Sequence, residues 1–262
     1  MSGQQIRFDD GAAYDRGMGQ WSLVAGKVFL DWLAPASGLR WLDVGCGSGA
    51  FSELIARQCS PAEIQGIDPS EAQLAFARTR SATRDAVFQV GDAMALPFAN
   101  DRFDVAAMSL VIFFVPDPAK GVAEMVRAVR PGGIVAAYAW DDQSGGFPFH
   151  PVRAEMHAMG VELTRPPSAG ASRVDAMRDL WVKAGLQAPE TREIAVTRSF
   201  ADFDDYWAQS TLTGSTRPAL AAMAPAALEE LKTKVRARMT PDAQGRVTYT
   251  ARANAIKGRV PE

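Results

Sequence analysis

The stretch that decides the fold is Trp-Leu-Asp-Val-Gly-Cys-Gly-Ser-Gly, residues 41–49. Its first four residues have the apolar and β-branched character of a buried parallel strand, and its glycines predict a sharp turn. A helical pattern follows at once and includes Leu54 and Ile55. Gly45 and Gly47 allow the backbone to approach a ligand, and the N–H groups of the next helix would face that ligand. The order strand, turn, helix therefore predicts a nucleotide-type binding site.

The glycine spacing alone leaves the kind of nucleotide open, because Gly45-x-Gly47-x-x-Ala50 also fits the dinucleotide fingerprint. The strand before the turn carries Asp43, and a buried carboxylate costs free energy unless a donor answers it. A cationic ligand or nearby backbone N–H groups could be that donor. Dinucleotide folds usually have an apolar residue at this position, so Asp43 argues against NAD.

Composition restricts the class of protein. The 262 residues are 47% hydrophobic and 22% charged, which is ordinary for one large globular domain with or without an appendage. The net charge of −2 and the lack of a basic stripe argue against a nucleic-acid partner. Cys46 and Cys59 suggest neither a disulfide framework nor a zinc site, and no carboxylate–histidine cluster suggests a metal. No secretory signal or membrane-spanning run is evident, so we expect a cytoplasmic protein.

Strands alternate with helices in the first half of the chain, which predicts an open parallel sheet of right-handed βαβ units. The predicted strands are 41–44, 64–67, 86–90, 103–110 and 134–140, and the predicted helices include 14–33 and 118–129. The glycine turn follows the first strand, as in doubly wound nucleotide folds, whose ligands bind outside the carboxyl ends of the strands. We therefore expect the site at that edge.

The second half is less regular. Residues 141–172 form a long connection rich in glycine and proline, of a kind that is uncommon unless it is functional. A helix over 173–184, a strand over 193–200, two helical stretches over 201–212 and 225–239, and a last strand over 245–257 are predicted after it.

Two aspartates lie at predicted strand ends. Asp68 follows Gly45 by 23 positions (68 − 45), where a carboxylate can accept hydrogen bonds from both hydroxyls of a ribose. Its alternative is an ordinary turn before Pro69. Asp92, in Gly91-Asp92-Ala93, could address an adenine edge, and its alternative is an N-cap or turn aspartate.

Five motifs together resemble the class I S-adenosylmethionine-dependent methyltransferases, in the small-molecule branch that includes ubiquinone and menaquinone C-methyltransferases. The resemblance covers about residues 36–140, and the opening from Tyr14 to Ser22 is also similar to that of many bacterial members. The matching stretches are Leu42–Gly49, Gly66–Ser70, Gly91–Phe98, Phe103–Val105 and Arg130–Gly133. One such motif is weak, whereas five in order are strong.

The resemblance implies S-adenosylmethionine as cofactor, S-adenosylhomocysteine as product, and roles for particular residues. The turn would cradle the methionyl part, Asp68 would take the ribose, and Asp92 with Ala93 the adenine. The N-terminal segment 1–35 would form a helical cap over the cofactor, although simple helix packing is an equal alternative for its aromatic residues. The implied cofactor-binding residues are Tyr14, Trp21, Asp43, Gly45, Cys46, Gly47, Gly49, Asp68, Pro69, Asp92, Ala93, Ser109 and Leu110.

The family fold also implies a seventh, antiparallel strand, for which 245–257 is suitable. Residues 36–200 and 245–262 would then form the Rossmann-like domain, and 201–244 a helical lid over the active site. The acceptor pocket would be built from the long connection, the lid and five aromatic residues. For the two aromatic residues in the lid, the alternative is a helix that buries them against its own sheet. These five are Phe113, Phe114, Trp140, Tyr206 and Trp207.

We therefore expect in-line methyl transfer to a small, apolar or aromatic molecule. No residue is assigned as catalytic, because the stretch Val111–Val115 lacks the histidine that many relatives carry there. A non-catalytic S-adenosylmethionine-binding protein and, less favoured, an NAD-dependent dehydrogenase are the alternatives. The acceptor compound, the acceptor atom and the oligomeric state stay open.

Overall fold

The computed structural model describes residues 15–212 and 216–262. Seven strands form one sheet in the order β3-β2-β1-β4-β5-β7-β6, in which β7 runs antiparallel to both of its neighbours and the other strands are parallel. The predicted mostly parallel α/β fold with an antiparallel last strand is thereby confirmed. The strands are β1 Arg40–Val44, β2 Glu63–Asp68, β3 Val87–Val90, β4 Phe103–Ser109, β5 Val129–Trp140, β6 Gln187–Phe200 and β7 Val247–Arg259.

Helices cover both faces of the sheet. A π-helical turn, Asp15–Gly19, precedes the first of them, and three described helices lie between β6 and β7 where two were predicted. The helices are α1 Gln20–Leu33, α2 Ala50–Gln58, α3 Glu71–Ala77, α4 Pro118–Ala128, α5 His150–Ala158, α6 Val174–Lys183, α7 Phe203–Ser210, α8 Thr216–Ala221 and α9 Pro225–Ala237.

Capping side chains explain where several helices begin. Ser70 accepts a hydrogen bond from the Gln73 N–H at 3.4 Å at the start of α3, as expected for a serine N-cap. Asp117 caps α4 through the Lys120 N–H at 3.1 Å, and Asp202 caps α7. Each cap follows the end of a strand or turn, so the helices start at the edge of the sheet where the strands finish.

Two hydrophobic layers enclose the sheet. One contains α1, α2 and parts of α7 and α9, which pack on alternating residues of the strands such as Trp41 and Tyr138. The other contains α4 and α6, which pack on the intervening residues such as Leu42 and Ala137. Leu231 and Val235 of α9 are fully buried in the first layer, so the segment between β6 and β7 shares the core of the sheet.

Two strand starts were predicted too late. β5 begins at Val129, because Val129 pairs with Phe103 and the Pro-Gly-Gly sequence continues in the strand. A Cβ at Gly133 would lie 2.8 Å from the Asp104 carbonyl oxygen, so a glycine permits this course. β6 begins at Gln187, in a polar stretch at the edge of the sheet, where one face meets water and apolar alternation is not required.

The last two strands extend beyond the rest of the sheet. Trp140, the end of β5, pairs with Ala253, which in turn pairs with Ile194. Beyond these residues 195–200 of β6 and 247–252 of β7 continue alone as a two-stranded ribbon, which we call the β6–β7 ribbon. At a rise of roughly 3.3 Å per residue the ribbon extends about 20 Å past the carboxyl end of β5.

Candidate active site

The glycine turn after β1 holds three residues in the left-handed region. Gly45, Gly47 and Gly49 have φ of 74°, 49° and 77°. A Cβ at Gly45 would lie 2.5 Å from a methyl group of Val111, and one at Gly49 would lie 2.9 Å from the Cβ of Ala77. The sequence predicted that these glycines admit a ligand, and the structure adds that two of them also admit neighbouring side chains.

Asp68, at the end of β2, is bonded directly to the turn. Its Oδ2 accepts from the Gly47 N–H at 3.0 Å and its Oδ1 accepts from the Ser70 N–H at 2.9 Å. Burial raises the pKa of Asp68, and these two backbone N–H groups oppose that rise. Each carboxylate oxygen keeps a lone pair beyond the one used, so the residue can still accept hydrogen bonds from a ligand.

Asp43 is completely buried in β1. Ser52 of α2 donates to its Oδ2 at 2.6 Å, and Oδ1 has no hydrogen-bond partner within 15–212 and 216–262. Burial raises the pKa of Asp43 to about 7; the Ser52 hydrogen bond opposes this rise and the nearby Asp68 charge adds to it. The sequence predicted a donor for this carboxylate. The structure supplies one, Ser52, for Oδ2, and none within the described residues for Oδ1.

Arg80 stabilises the other side of the turn, and sequence reasoning missed it. Its Nε donates to the Ser48 carbonyl oxygen at 2.6 Å, and its Nη1 lies 2.6 Å from a carboxylate oxygen of Glu53. This arrangement joins the end of α3 to the turn and to α2. No sequence signal marks the arginine, because it follows Ser48 by 32 positions.

Asp92 is an exposed turn residue whose Oδ1 accepts from the Met94 N–H at 2.8 Å. The loop after it is anchored by α4, where Glu124 accepts from the Leu96 N–H at 2.8 Å and Arg127 donates to the Leu96 carbonyl oxygen at 3.0 Å. The turn alternative therefore describes the local geometry, while the adenine role of Asp92 and its half-buried neighbour Ala93 stays a prediction.

The end of β4 turns sharply at Leu110, which has φ of 62°. A left-handed non-glycine residue costs on the order of 1–3 kcal/mol, and such residues concentrate at functional sites. The Leu110 N–H donates to the Tyr138 carbonyl oxygen at 2.8 Å. Before it, the Ser109 hydroxyl lies 2.7 Å from the Tyr138 hydroxyl, which donates to the Ser22 carbonyl oxygen of α1 at 3.5 Å. β4, β5 and α1 are thus joined beside the glycine turn.

Phe113 and Phe114 form a short 3₁₀ turn after Leu110, with ring centroids 4.5 Å apart. Both are half-buried, and the Phe113 carbonyl oxygen accepts from the Ser168 N–H at 3.1 Å. The long connection after β5 therefore contacts the segment that follows β4. This brings two parts of the predicted acceptor pocket together.

The other predicted aromatic residues gather at the β6–β7 ribbon. Trp21 is fully buried, with its ring centroid 6.2 Å from those of both Phe200 and Tyr249. Tyr206 is also fully buried, with its centroid 5.2 Å from that of Phe200. These contacts agree with the helix-packing alternative for both residues, and their ligand roles stay predictions.

Of the remaining predicted residues, Trp140 is buried at the end of β5, and Trp207 is half-buried and stacked on Phe203 with centroids 6.2 Å apart. Cys46 is buried, which raises the pKa of its thiol, and Pro69 follows Asp68 in the turn. Tyr14 lies outside the described residues.

No group of three or more histidine, cysteine, aspartate or glutamate side chains in the described ranges could hold a metal ion. None of the helices found there is long and apolar enough to cross a membrane.

Comparison with known proteins identifies the class. Residues 42–137 match the family described as Methyltransferase domain. The Roseobacter denitrificans protein named ubiquinone/menaquinone biosynthesis C-methyltransferase UbiE is 36% identical over 111 residues, which are 41% of this chain and 44% of that protein. The chain thus matches less than half the length of this relative.

Solved structures agree in fold. A putative methyltransferase from Bacillus halodurans has a TM-score of 0.59 at 16% identity, covering 90% of this chain and 98% of its own. A Haemonchus contortus phosphoethanolamine N-methyltransferase, solved with phosphomonomethylethanolamine and S-adenosylhomocysteine, has a TM-score of 0.58 at 16% identity, covering 96% of this chain and 57% of its own. The fold is that of the class I methyltransferases. Residues 42–137, which contain all five motifs named from the sequence, match the methyltransferase family, and this match confirms the resemblance.

Proposed function

We propose that the protein transfers a methyl group from S-adenosylmethionine to a small molecule. The observation that carries the proposal is the buried Asp43, with one oxygen lacking a partner in the described chain, directly before a left-handed glycine turn that Asp68 holds in place. A fully buried carboxylate, Asp43, close to a half-buried one, Asp68, favours a cationic ligand, because a positive charge stabilises the ionised form of each. NAD would instead place its anionic pyrophosphate at this glycine turn, close to the two carboxylates.

The residues at the carboxyl edge suit this cofactor. Asp68 keeps acceptor capacity for ribose hydroxyls. Asp92 and Ala93 would border the adenine, and Ser109 with Leu110 would border the methionyl tail. When bound, the cofactor supplies an electrophilic methyl carbon on a sulfonium. The chain's own part is to orient the two reactants and to exclude water.

Orientation can supply much of the rate, since holding two reactants in contact is worth roughly 7–11 kcal/mol. The segment Val111–Val115 supplies apolar surface and no proton acceptor. An acceptor attacking through an already ionised oxygen or through an electron-rich carbon needs no base in this stretch. An ionised oxygen has no proton to lose, and an electron-rich carbon releases its proton to solvent only after it has bonded the methyl group.

For the acceptor itself we propose a small apolar or aromatic molecule. The name of the Roseobacter relative refers to quinones, and aromatic side chains surround both the β4 end and the β6–β7 ribbon. Phe113, Phe114 and Trp140 would line one side of the pocket, with Tyr206 and Trp207 on the other. The work is expected to take place in the cytoplasm.

We further propose that residues 201–244 act as a lid and residues 1–35 as a cap. Tyr206 and Leu231 are fully buried, and the pairing of Arg238 with Glu155 ties the end of α9 to α5. Closure would therefore be a local movement around these anchors, which keeps water from the reacting atoms.

A thermal-shift comparison tests the cofactor. S-adenosylhomocysteine should raise the unfolding midpoint and NAD should leave it unchanged, because a ligand at a hundredfold excess over its Kd stabilises by about 2.7 kcal/mol. A shift with NAD alone would exclude the methyltransferase proposal in favour of a dehydrogenase.

A further inference from the structure

The β6–β7 ribbon has a polar outer face and an apolar inner face, with one exception. Thr197 and Thr250 hydroxyls pair across the outer face at 2.8 Å, whereas Val196 and Phe200 are buried on the inner face. Successive side chains of a strand alternate, so Arg198 stands on the inner face between these two. An arginine on the outer face would be fully hydrated, and on the inner face it is partly removed from water.

One nitrogen of the Arg198 guanidinium has no hydrogen-bond partner among the described residues around it. The guanidinium carbon lies 5.3 Å from the Trp21 ring centroid and 5.1 Å from that of Phe200. Nη2 donates to the Gln209 side-chain oxygen at 3.0 Å, while Nη1 is buried and has no hydrogen-bond partner in the described parts of the chain. The nearby Asp205 carboxylate accepts instead from the Gln209 amide and the Ala201 N–H.

Two further polar groups of the same cluster lack partners within the described ranges. They are the indole N–H of Trp21 and the hydroxyl of Tyr206, both buried. Burial raises the pKa of Tyr206 far above the physiological range, so its hydroxyl remains a donor. A buried donor without an acceptor destabilises the fold, and native structures contain few of them. The three side chains that carry these donors all lie close to the Phe200 ring, and an acceptor-rich ligand group would satisfy the donors.

We propose that the inner face of the β6–β7 ribbon binds the carboxylate of an aromatic or apolar carboxylic acid, and that this acid is the methyl acceptor. The second part rests on the proposed function. A carboxylate offers two oxygens with about four acceptor sites, which matches three donors, one of them charged. The aromatic rings would contact the body of the acid. The three donor atoms are buried, but Arg198 as a whole is half-buried, so a ligand would enter from the side on which this arginine reaches the surface.

Calorimetry on the full chain, with saturating S-adenosylhomocysteine, tests the site with benzoate and its neutral isostere benzamide. Benzoate should bind and benzamide should bind at least tenfold more weakly, because charge-assisted hydrogen bonds are about twice as strong as neutral ones. Arg198→Met should weaken benzoate binding roughly tenfold to a hundredfold. Arg192→Met, an exposed arginine on the same strand, is the matched control and should change nothing.

Three outcomes would overturn the proposal. The first is equal binding of benzoate and benzamide, or none of either, by the wild type. The second is an unchanged benzoate affinity in Arg198→Met. The third is a loss of S-adenosylhomocysteine affinity in that variant, which would assign the arginine to the cofactor's own carboxylate. Tyr206→Phe should also weaken benzoate binding and serves if Arg198→Met does not fold. Benzoate binding without any affinity for S-adenosylhomocysteine would instead reject the proposed function and leave the carboxylate site standing.

Discussion

The glycine turn and the β6–β7 ribbon differ in how their buried polar groups are hydrogen-bonded. At the turn, Asp68 accepts two backbone hydrogen bonds and Arg80 is bonded to Ser48 and Glu53. At the ribbon, Nη1 of Arg198 and the hydroxyl of Tyr206 have no partner in the part of the chain that the structure describes. Among the described residues, the turn region has an unpartnered acceptor, Asp43 Oδ1, which suits a cationic ligand group, whereas the ribbon has unpartnered donors, which suit an anionic one.

The family match follows the same division. The matched family covers 42–137, which includes the turn and ends before the ribbon. We interpret the first region as the cofactor half and the second as the acceptor half. The following predictions test that division, in order of decreasing effect.

The largest effect should come from the pH dependence that Asp43 contributes. Its pKa is raised from 3.8 to about 7 in the folded chain, so the native state binds the proton more tightly than the unfolded one. The free energy of unfolding contributed by this group therefore falls as pH rises from 4 to 7, by on the order of 4 kcal/mol. Urea unfolding of the wild type and Asp43→Asn across this range measures it.

The wild type should lose stability relative to Asp43→Asn as pH rises. If the free energies of unfolding of the two proteins changed with pH in parallel, ionisation of Asp43 would not destabilise the fold. The argument for a cationic ligand would then fail. S-adenosylmethionine should counteract the loss, because a cationic ligand favours the ionised carboxylate.

Gly45→Ala should reduce the free energy of unfolding by roughly 2–4 kcal/mol, from left-handed strain and from overlap with Val111. Gly38→Ala is the matched control, because Gly38 has nearly the same φ, 75° against 74°, and no atom near its Cβ position. Its loss should be about 1 kcal/mol. Equal losses in both variants would show that the Val111 contact is unimportant.

Asp68→Ala should weaken S-adenosylhomocysteine binding by roughly 1–3 kcal/mol, because ribose hydroxyls and the Gly47 N–H lose their acceptor. The benzoate affinity of the ribbon should be unaffected, as the two regions are distinct. Calorimetry with both ligands measures this. An unchanged cofactor affinity would refute the assigned role of Asp68.

The smallest change in unfolding free energy is expected when the hydroxyl of either of two buried tyrosines is removed. Tyr138→Phe removes hydrogen bonds to Ser109 and Ser22 and should lower the free energy of unfolding by about 1 kcal/mol. Tyr206→Phe removes a hydroxyl without a described partner and should leave stability unchanged or slightly higher. Chemical denaturation of both variants gives the comparison. A larger loss of unfolding free energy in Tyr206→Phe than in Tyr138→Phe would mean that the Tyr206 hydroxyl already has a partner within the protein.

The sequence predicted the local structure of the cofactor half well because its signals are local. The strand, the glycine turn and the position of Asp68 are read from short stretches, and the alternation of elements predicts the sheet. Contacts that join distant positions were not predicted. Val111 over Gly45 and Arg80 on Ser48 depend on where the fold brings the chain.

The acceptor half was harder to predict for the same reason. Tyr206 and Trp21 were named as aromatic candidates, but nothing local indicates that they meet at Phe200. The early start of β6 was missed because its residues are polar. Arg198 was overlooked although its place in the apolar alternation, between Val196 and Phe200, was visible in the sequence.

The most direct test of methyl transfer is to incubate the protein with S-adenosylmethionine and a small-molecule cell extract. Mass spectrometry would follow the cofactor and the extract together. The account predicts that S-adenosylhomocysteine accumulates in step with one extract component that gains 14 mass units, a hydrogen replaced by a methyl group. Bound but unconsumed S-adenosylmethionine, with no component altered, would contradict it and would indicate a non-catalytic binding protein.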